Sequence, residues 1–246
     1  MIKTLDRTLA QSLARSLAMA ALCGVAACSA EAPADPGAVA PVPAPPATAA
    51  APSADTTPAG PTVVFLGDSL TAGFQLPPGD ALPAQVGRVL AARGIKINAV
   101  NAGVSGDTTA NGLARYDWSV AAANPDLLVI ALGANDYLLD LSPDLTRTHL
   151  ASLIDRAQAV GVPVILAGIE PRSGAAPGSR DAAFASIYPD LAAEYDLPLL
   201  PALLEGVRGE PSLLLSDGLH PTAEGVAIMA QQLGEVITPA LETLPQ

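Results

Sequence analysis

Only two cysteines occur in the 246 residues, Cys23 and Cys28, and both lie near the N-terminus. Everything downstream is therefore without a disulfide, a catalytic thiolate or a cysteine-based metal site. Histidine is equally scarce, with His149 and His220 alone, so a zinc site would rest on carboxylates, and none cluster with suitable spacing. Lys and Arg number 12 against 24 Asp and Glu, giving a formal net charge of -12, and no basic stripe interrupts the acidity. Nucleic-acid binding draws its affinity from clustered cations, so that partner class is excluded. No G-x-G-x-x-G appears, and Gly67-Asp68-Ser69-Leu70-Thr71-Ala72-Gly73 lacks the lysine of a phosphate loop, which leaves nucleotide binding without support. The G-x-S-x-G elbow of ordinary α/β-hydrolases is missing as well. The longest apolar stretch near the N-terminus, Leu17 to Ala27, is too short to span a bilayer comfortably.

What is present divides the chain into three parts. Lys3, Arg7 and Arg15 precede that apolar stretch, which is the layout of a bacterial secretion signal. It closes on Val25-Ala26-Ala27-Cys28, which resembles a lipobox, and the resemblance implies that residues 1–27 are a lipoprotein-type signal peptide and that Cys28 is lipidated. An ordinary signal cleaved near Ala27 is the alternative. Ser29 is not the aspartate that suggests inner-membrane retention, so the expected location is the cell envelope, anchored at the periplasmic face of the outer membrane. From residue 28 to residue 61 the chain is Ala, Pro, Thr and Ser without Lys or Arg. Such a segment buries too little apolar surface to offset its ordering entropy, and at about 3.1 Å per residue it reaches at most on the order of 100 Å. It reads as a disordered tether. Residues 62–246 then form one domain, long enough for a full core and expected to act as a monomer.

Within that domain short apolar runs alternate with amphipathic ones. Thr62–Leu66, Ile95–Val100, Leu127–Leu132, Val162–Ala167 and Leu197–Leu200 have strand length and suit strands covered on both faces. Helical patterns fill the intervals at about Ala81–Ala92, Thr109–Ala122, Ser142–Val160, Ser179–Tyr195 and Pro221–Leu241. Five strands, each followed by a helix, predict a three-layer α/β/α sandwich around a flavodoxin-like, doubly wound parallel sheet. Ligands of such sheets bind beyond the carboxyl ends of the strands. Gly67-Asp68-Ser69, the stretch from Asn101 to Thr109 and Gly133-Ala134-Asn135-Asp136 all follow strands, so all three should meet on one rim.

A serine hydroxyl is a poor nucleophile unless a base takes its proton. His149 falls inside a helix beside Leu145, Leu150, Leu153 and Ile154, and reads as a half-buried histidine away from the rim. His220 lies in a loop, three residues after Asp217, so a single turn carries both a base and the carboxylate to orient it. The candidate catalytic set is Ser69, Asp217 and His220. Donors for a developing oxyanion are available from the backbone N–H of Ser69, the backbone N–H of Gly106 and the side-chain amide of Asn135.

Gly67-Asp68-Ser69-Leu70, Gly106, Asn135 and Asp217-x-x-His220 resemble, in order, the blocks of the SGNH (GDSL) hydrolases. The segments around Gly106, Asn135 and Ile187–Pro201 are similar to the branch holding bacterial arylesterases and the multifunctional thioesterase I/lysophospholipase. The resemblance implies Ser69 as nucleophile, His220 as base, Asp217 as its orienter, and an oxyanion hole completed by Gly106 and Asn135. It also implies no metal and no organic cofactor. Substrates would be carboxylic esters of short or medium acyl chains, aryl esters included, with thioesters and lysophospholipids in the same class. A carbohydrate O-deacetylase or acyltransferase and a noncatalytic envelope lipoprotein are the alternatives. Tyr137-Leu138-Leu139 and the segment from Gly168 to Arg180 depart from the family pattern beside the acyl pocket, so substrate preference is not carried over.

Overall fold

The computed structural model describes residues 60–169, 171 and 176–244. The signal peptide, Cys28 and nearly all of the tether lie outside the described residues. The elements are β1 (Thr62–Gly67), α1 (Ser69–Ala72), α2 (Leu82–Ala92), β2 (Asn98–Gly103), α3 (Thr109–Ala114), α4 (Tyr116–Ser119), β3 (Leu127–Ala131), α5 (Ala134–Leu138), α6 (Pro143–Gln158), β4 (Val164–Ala167), α7 (Arg180–Tyr195), β5 (Leu199–Leu200) and α8 (Ala223–Glu242). The five strands are parallel in the order β2-β1-β3-β4-β5, which is the predicted flavodoxin-like arrangement.

Alternation along the strands sorts the core into two layers. Val63 and Phe65 of β1 pack with Leu82, Val86 and Leu90 of α2 and with Val226, Met229 and Leu233 of α8. Val64 and Leu66 pack on the other face with Leu150, Leu153 and Ile154 of α6 and with Phe184, Ile187 and Leu191 of α7. Both faces of β1 and β3 are thus dry, which explains why those strands read as continuous apolar runs rather than alternating ones.

Four expectations need correction. The second strand begins at Asn98, not Ile95, because the Ile95 N–H is spent on Leu90 O at the end of α2; it runs to Gly103 through the exposed edge residue Asn101. The helix expected over Thr109–Ala122 breaks at Arg115, whose side chain is drawn inward to polar partners described below. The last helix starts at Ala223 behind the Thr222 cap, whereas Pro221 bridges to Leu214. Leu145, read as part of the apolar stripe of α6, is 57% exposed, and Thr146 takes the inward place.

Candidate active site

The polar segment that ends β1 is dictated by crowding. A Cβ on Gly67 would lie 2.0 Å from Thr71 Oγ1 and 2.9 Å from Ala131 O, so only glycine lets α1 fold back over the strand end. Asp68, 1% exposed, then caps α1 by accepting the Leu70 N–H at 2.9 Å. Burial pushes its carboxyl up to about 6, opposed by that hydrogen bond and by the nearby His220. These constraints leave Ser69 as the first helical residue, its hydroxyl at the rim.

Opposite it, the chain from Leu213 to Thr222 doubles back on itself, with Leu215 N–H donating to His220 O at 2.7 Å and Thr222 N–H to Leu213 O at 2.8 Å. The turn passes through Gly218 at φ +67°, a conformation that glycine adopts without penalty. Asp217 Oδ1 accepts the backbone N–H groups of Leu219 and His220 at 2.9 and 3.0 Å. Its Oδ2 lies 2.7 Å from His220 Nδ1, and His220 Nε2 lies 2.9 Å from Ser69 Oγ. With Nδ1–H donating to the carboxylate, the Nε2 lone pair faces the serine hydroxyl. The backbone and side-chain bonds from His220, with the bond from Leu219, hold the Asp217 carboxyl down to about 2, so it is ionised throughout the neutral range. Phe74 packs against the imidazole with ring centroids 4.2 Å apart and the rings tilted by 32°.

The oxyanion candidates stand on the neighbouring strand ends. Asn135, at the start of α5, donates one Nδ2–H to Asp107 O at 2.8 Å, which leaves its second N–H for a ligand. Asn135 and Ser69 both line a pocket of about 260 Å³ with His220. Gly106, at φ +88°, is exposed beside Asp107 and is not part of that pocket wall. It is coupled to the site through its neighbour, whose carbonyl holds Asn135.

Two buried clusters behind the rim were not read from the sequence. Arg115 is 5% exposed; its Nε donates to Asp107 Oδ2 at 2.5 Å and its Nη2 to Gly67 O at 3.0 Å. One guanidinium therefore ties the strand end that carries Ser69 to the loop that holds Asn135. Asp136, 1% exposed, accepts the Thr109 N–H at 2.8 Å, the Thr109 hydroxyl at 2.5 Å and the Thr146 hydroxyl at 3.2 Å. His149 is half-buried as expected, yet its Nδ1 is 3.2 Å from Thr109 Oγ1, so it belongs to the outer edge of this cluster rather than standing apart from it. Asp107 and Asp136 sit inside segments that had been singled out. Arg115 gave no local signal, because Gly67 is 48 residues away in sequence.

The family model described as the GDSL-like lipase/acylhydrolase family matches residues 65–228. Esterase TesA of Pseudomonas aeruginosa is 37% identical over 184 residues, which is 74% of this chain and 89% of that protein. The thioesterase 1/protease 1/lysophospholipase L1 of Escherichia coli K12 is 34% identical over 179 residues, 72% of this chain and 84% of the relative. Among solved structures, the crystal structure of TesA superposes with a TM-score of 0.69 at 34% identity, covering 73% of this chain and 99% of that one.

Proposed function

Because the chain belongs to the GDSL-like lipase/acylhydrolase family, a family of ester hydrolases, we propose that Ser69, His220 and Asp217 form its catalytic triad and act on carboxylic esters of short or medium acyl chains. In this reading Ser69 Oγ attacks the ester carbonyl while His220 Nε2 takes the hydroxyl proton. Asp217 stabilises the imidazolium that forms. The carbonyl oxygen becomes an oxyanion and accepts from the Ser69 N–H and the free Nδ2–H of Asn135, with the N–H of Gly106, which stands outside the pocket wall, as the third donor the family likeness suggests. Collapse expels the alcohol, which takes its proton from His220, and leaves an acyl group on Ser69. Water then repeats the sequence and releases the acid. The observation that carries the reading is the hydrogen-bonded chain from Asp217 Oδ2 through His220 to Ser69 Oγ, at 2.7 and 2.9 Å.

The pocket supports the substrate class. Leu70, Leu138, Ile169, Leu203, Leu214 and Leu219 offer an acyl chain an apolar wall. The leucine-rich wall offers the sugar hydroxyls of a carbohydrate ester few hydrogen-bond partners, which sets the esterase reading above an O-deacetylase. Aryl esters, thioesters and lysophospholipids fall within the same reading. The segment before the domain supports a lipidated Cys28 and a tether that holds the enzyme at the envelope, on the periplasmic face of the outer membrane.

Labelling by a fluorophosphonate probe tests the nucleophile, with p-nitrophenyl butyrate as the activity readout. Ser69→Ala should abolish labelling, and Ser69→Ala and His220→Ala should each remove most activity. The double variant should be scarcely worse than either, because groups that act as a unit are strongly non-additive. Independent multiplicative losses, or labelling that survives Ser69→Ala in folded protein, would overturn the assignment.

A further inference from the structure

The wall of the pocket contains one feature that ester hydrolysis as such does not require. Among the described residues that line it, Arg208 is the one Lys or Arg, set among leucine and isoleucine side chains. It is carried on a turn held by the buried Leu203 and Val207, with its backbone N–H donating to Leu204 O at 2.9 Å. Its side chain is positioned as well, since Nη1 donates to Pro171 O at 3.1 Å. That leaves most of the five guanidinium donors without a partner among the described residues.

The other described arginines behave differently. Arg88, Arg93, Arg115, Arg147, Arg156 and Arg180 each pair with an aspartate or glutamate. Arg208 pairs with no carboxylate among the described residues. In a chain of net charge -12, a pocket-lining cation that pairs with no carboxylate among the described residues stands apart from the other described arginines. Arg208 is exposed, so its pull on an anion is moderated by water and salt, but its planar fork matches the two oxygens of a carboxylate or phosphate.

We propose that Arg208 is a specificity-determining residue that selects esters bearing a second, anionic oxygen group, a carboxylate or a phosphate, in the part of the substrate that occupies the pocket. The proposal rests on the esterase reading and deepens it. An apolar stretch between ester and anion would lie against the leucine wall while the anion meets the guanidinium. The acidic surface would otherwise repel such substrates, and Arg208 supplies the local attraction that offsets this.

The test uses two matched pairs of substrates. p-Nitrophenyl butyrate against p-nitrophenyl hydrogen glutarate places a carboxylate in the acyl arm; 1-octanoylglycerol against its 3-phosphate places a phosphate in the alcohol arm. For at least one pair the anionic-to-neutral ratio of kcat/KM should fall about tenfold in Arg208→Gln, and Arg208→Lys should restore part of it. The pair that responds identifies the anion and the arm. Added salt should lower the same ratio in the wild type. Ratios unmoved in both pairs, or a loss shared equally by neutral and anionic members, would overturn the proposal and return Arg208 to a brace for Pro171. A binding measurement separates this outcome from failure of the esterase reading. Ser69→Ala should bind octyl phosphate or octanoate more tightly than octanol, and Ser69→Ala/Arg208→Gln should lose that preference. If it persists, the anion site is not at Arg208, whatever the turnover data show.

Discussion

Replacing Arg115 with methionine tests whether the site is held from behind. The guanidinium and its partner Asp107 have side chains only 6% and 12% exposed, so the variant leaves a carboxylate with little water and no counter-charge. It also strips Gly67 O of the Nη2 donor and Ser119 Oγ of the Nη1 donor. Breaking one half of a buried ion pair costs about 3–5 kcal/mol. A domain of this kind has roughly 5–15 kcal/mol in all, so Arg115→Met should fold at low temperature with its urea midpoint well below that of the wild type and its m-value unchanged. The functional consequence follows from one bond. Asp107 O fixes Asn135 Nδ2 at 2.8 Å, so a loosened Asp107 misplaces the oxyanion donor. A displacement near 1 Å can cost about 100-fold, and kcat on p-nitrophenyl butyrate, measured well below the melting temperature, should fall by about 10- to 100-fold with a smaller change in KM. A stability loss under about 1 kcal/mol would show that the pair is not working as a buried brace. A destabilised variant with wild-type kcat would confine Arg115 to the scaffold and break its link to Asn135.

Three further outcomes are expected. Asn135→Ala should lower kcat by about 10²- to 10³-fold, the usual cost of one oxyanion donor, and a loss below about tenfold in steady-state assays would return Asn135 to an ordinary turn residue. Folding raises Asp68 from 3.8 to about 6, so the folded state holds the additional proton between those values and stability contributed by this group declines as pH rises through that window, by about 3 kcal/mol, then levels off. Asp68→Asn should remove that decline from the difference between wild-type and variant unfolding curves; parallel curves from pH 4 to 6 would refute it. Cys28→Ala should move the protein from the membrane to the soluble periplasmic fraction, since each buried CH₂ of an acyl chain contributes about 0.8 kcal/mol, and unchanged membrane association would refute lipidation.

The sheet order and the convergence of three strand ends were legible because a doubly covered parallel sheet writes itself as apolar runs, and because its ligands gather at one rim. Asp217 and His220 were legible because they share a turn, so a spacing of three residues contained the contact. Strand and helix boundaries were less so. Asn101 lies within β2 because an edge strand does not require an apolar side chain there, and no hydrophobic pattern marks such a residue. Arg115 was illegible for a different reason: a charged residue in an amphipathic segment reads as solvated surface, and only the packed chain shows it to be 5% exposed with a partner on another element. Leu138 and Leu139, a departure from the family pattern, are 57% and 61% exposed, and Leu138 lines the pocket with Leu219, as the resemblance implied for that segment.

The sequence Gly67-Asp68-Ser69 shows how packing and chemistry converge on the same atoms. Glycine is required because Thr71 occupies the space of its absent Cβ, and its carbonyl is claimed by Arg115. A side-chain acceptor, here a carboxylate, is required at position 68 because α1 begins in a dry place and the Leu70 N–H needs a partner. Burying that carboxylate is costly, as its raised pKa records, so a neutral asparagine would serve the cap at less expense in stability. What a neutral residue would lack is the negative charge beside His220, an interaction already visible as one of the forces that lower the Asp68 pKa. An imidazole that must become cationic while Ser69 attacks gains from that charge in the transition state more than in the resting enzyme. Under the proposed triad, the buried aspartate would serve the reaction as well as the cap.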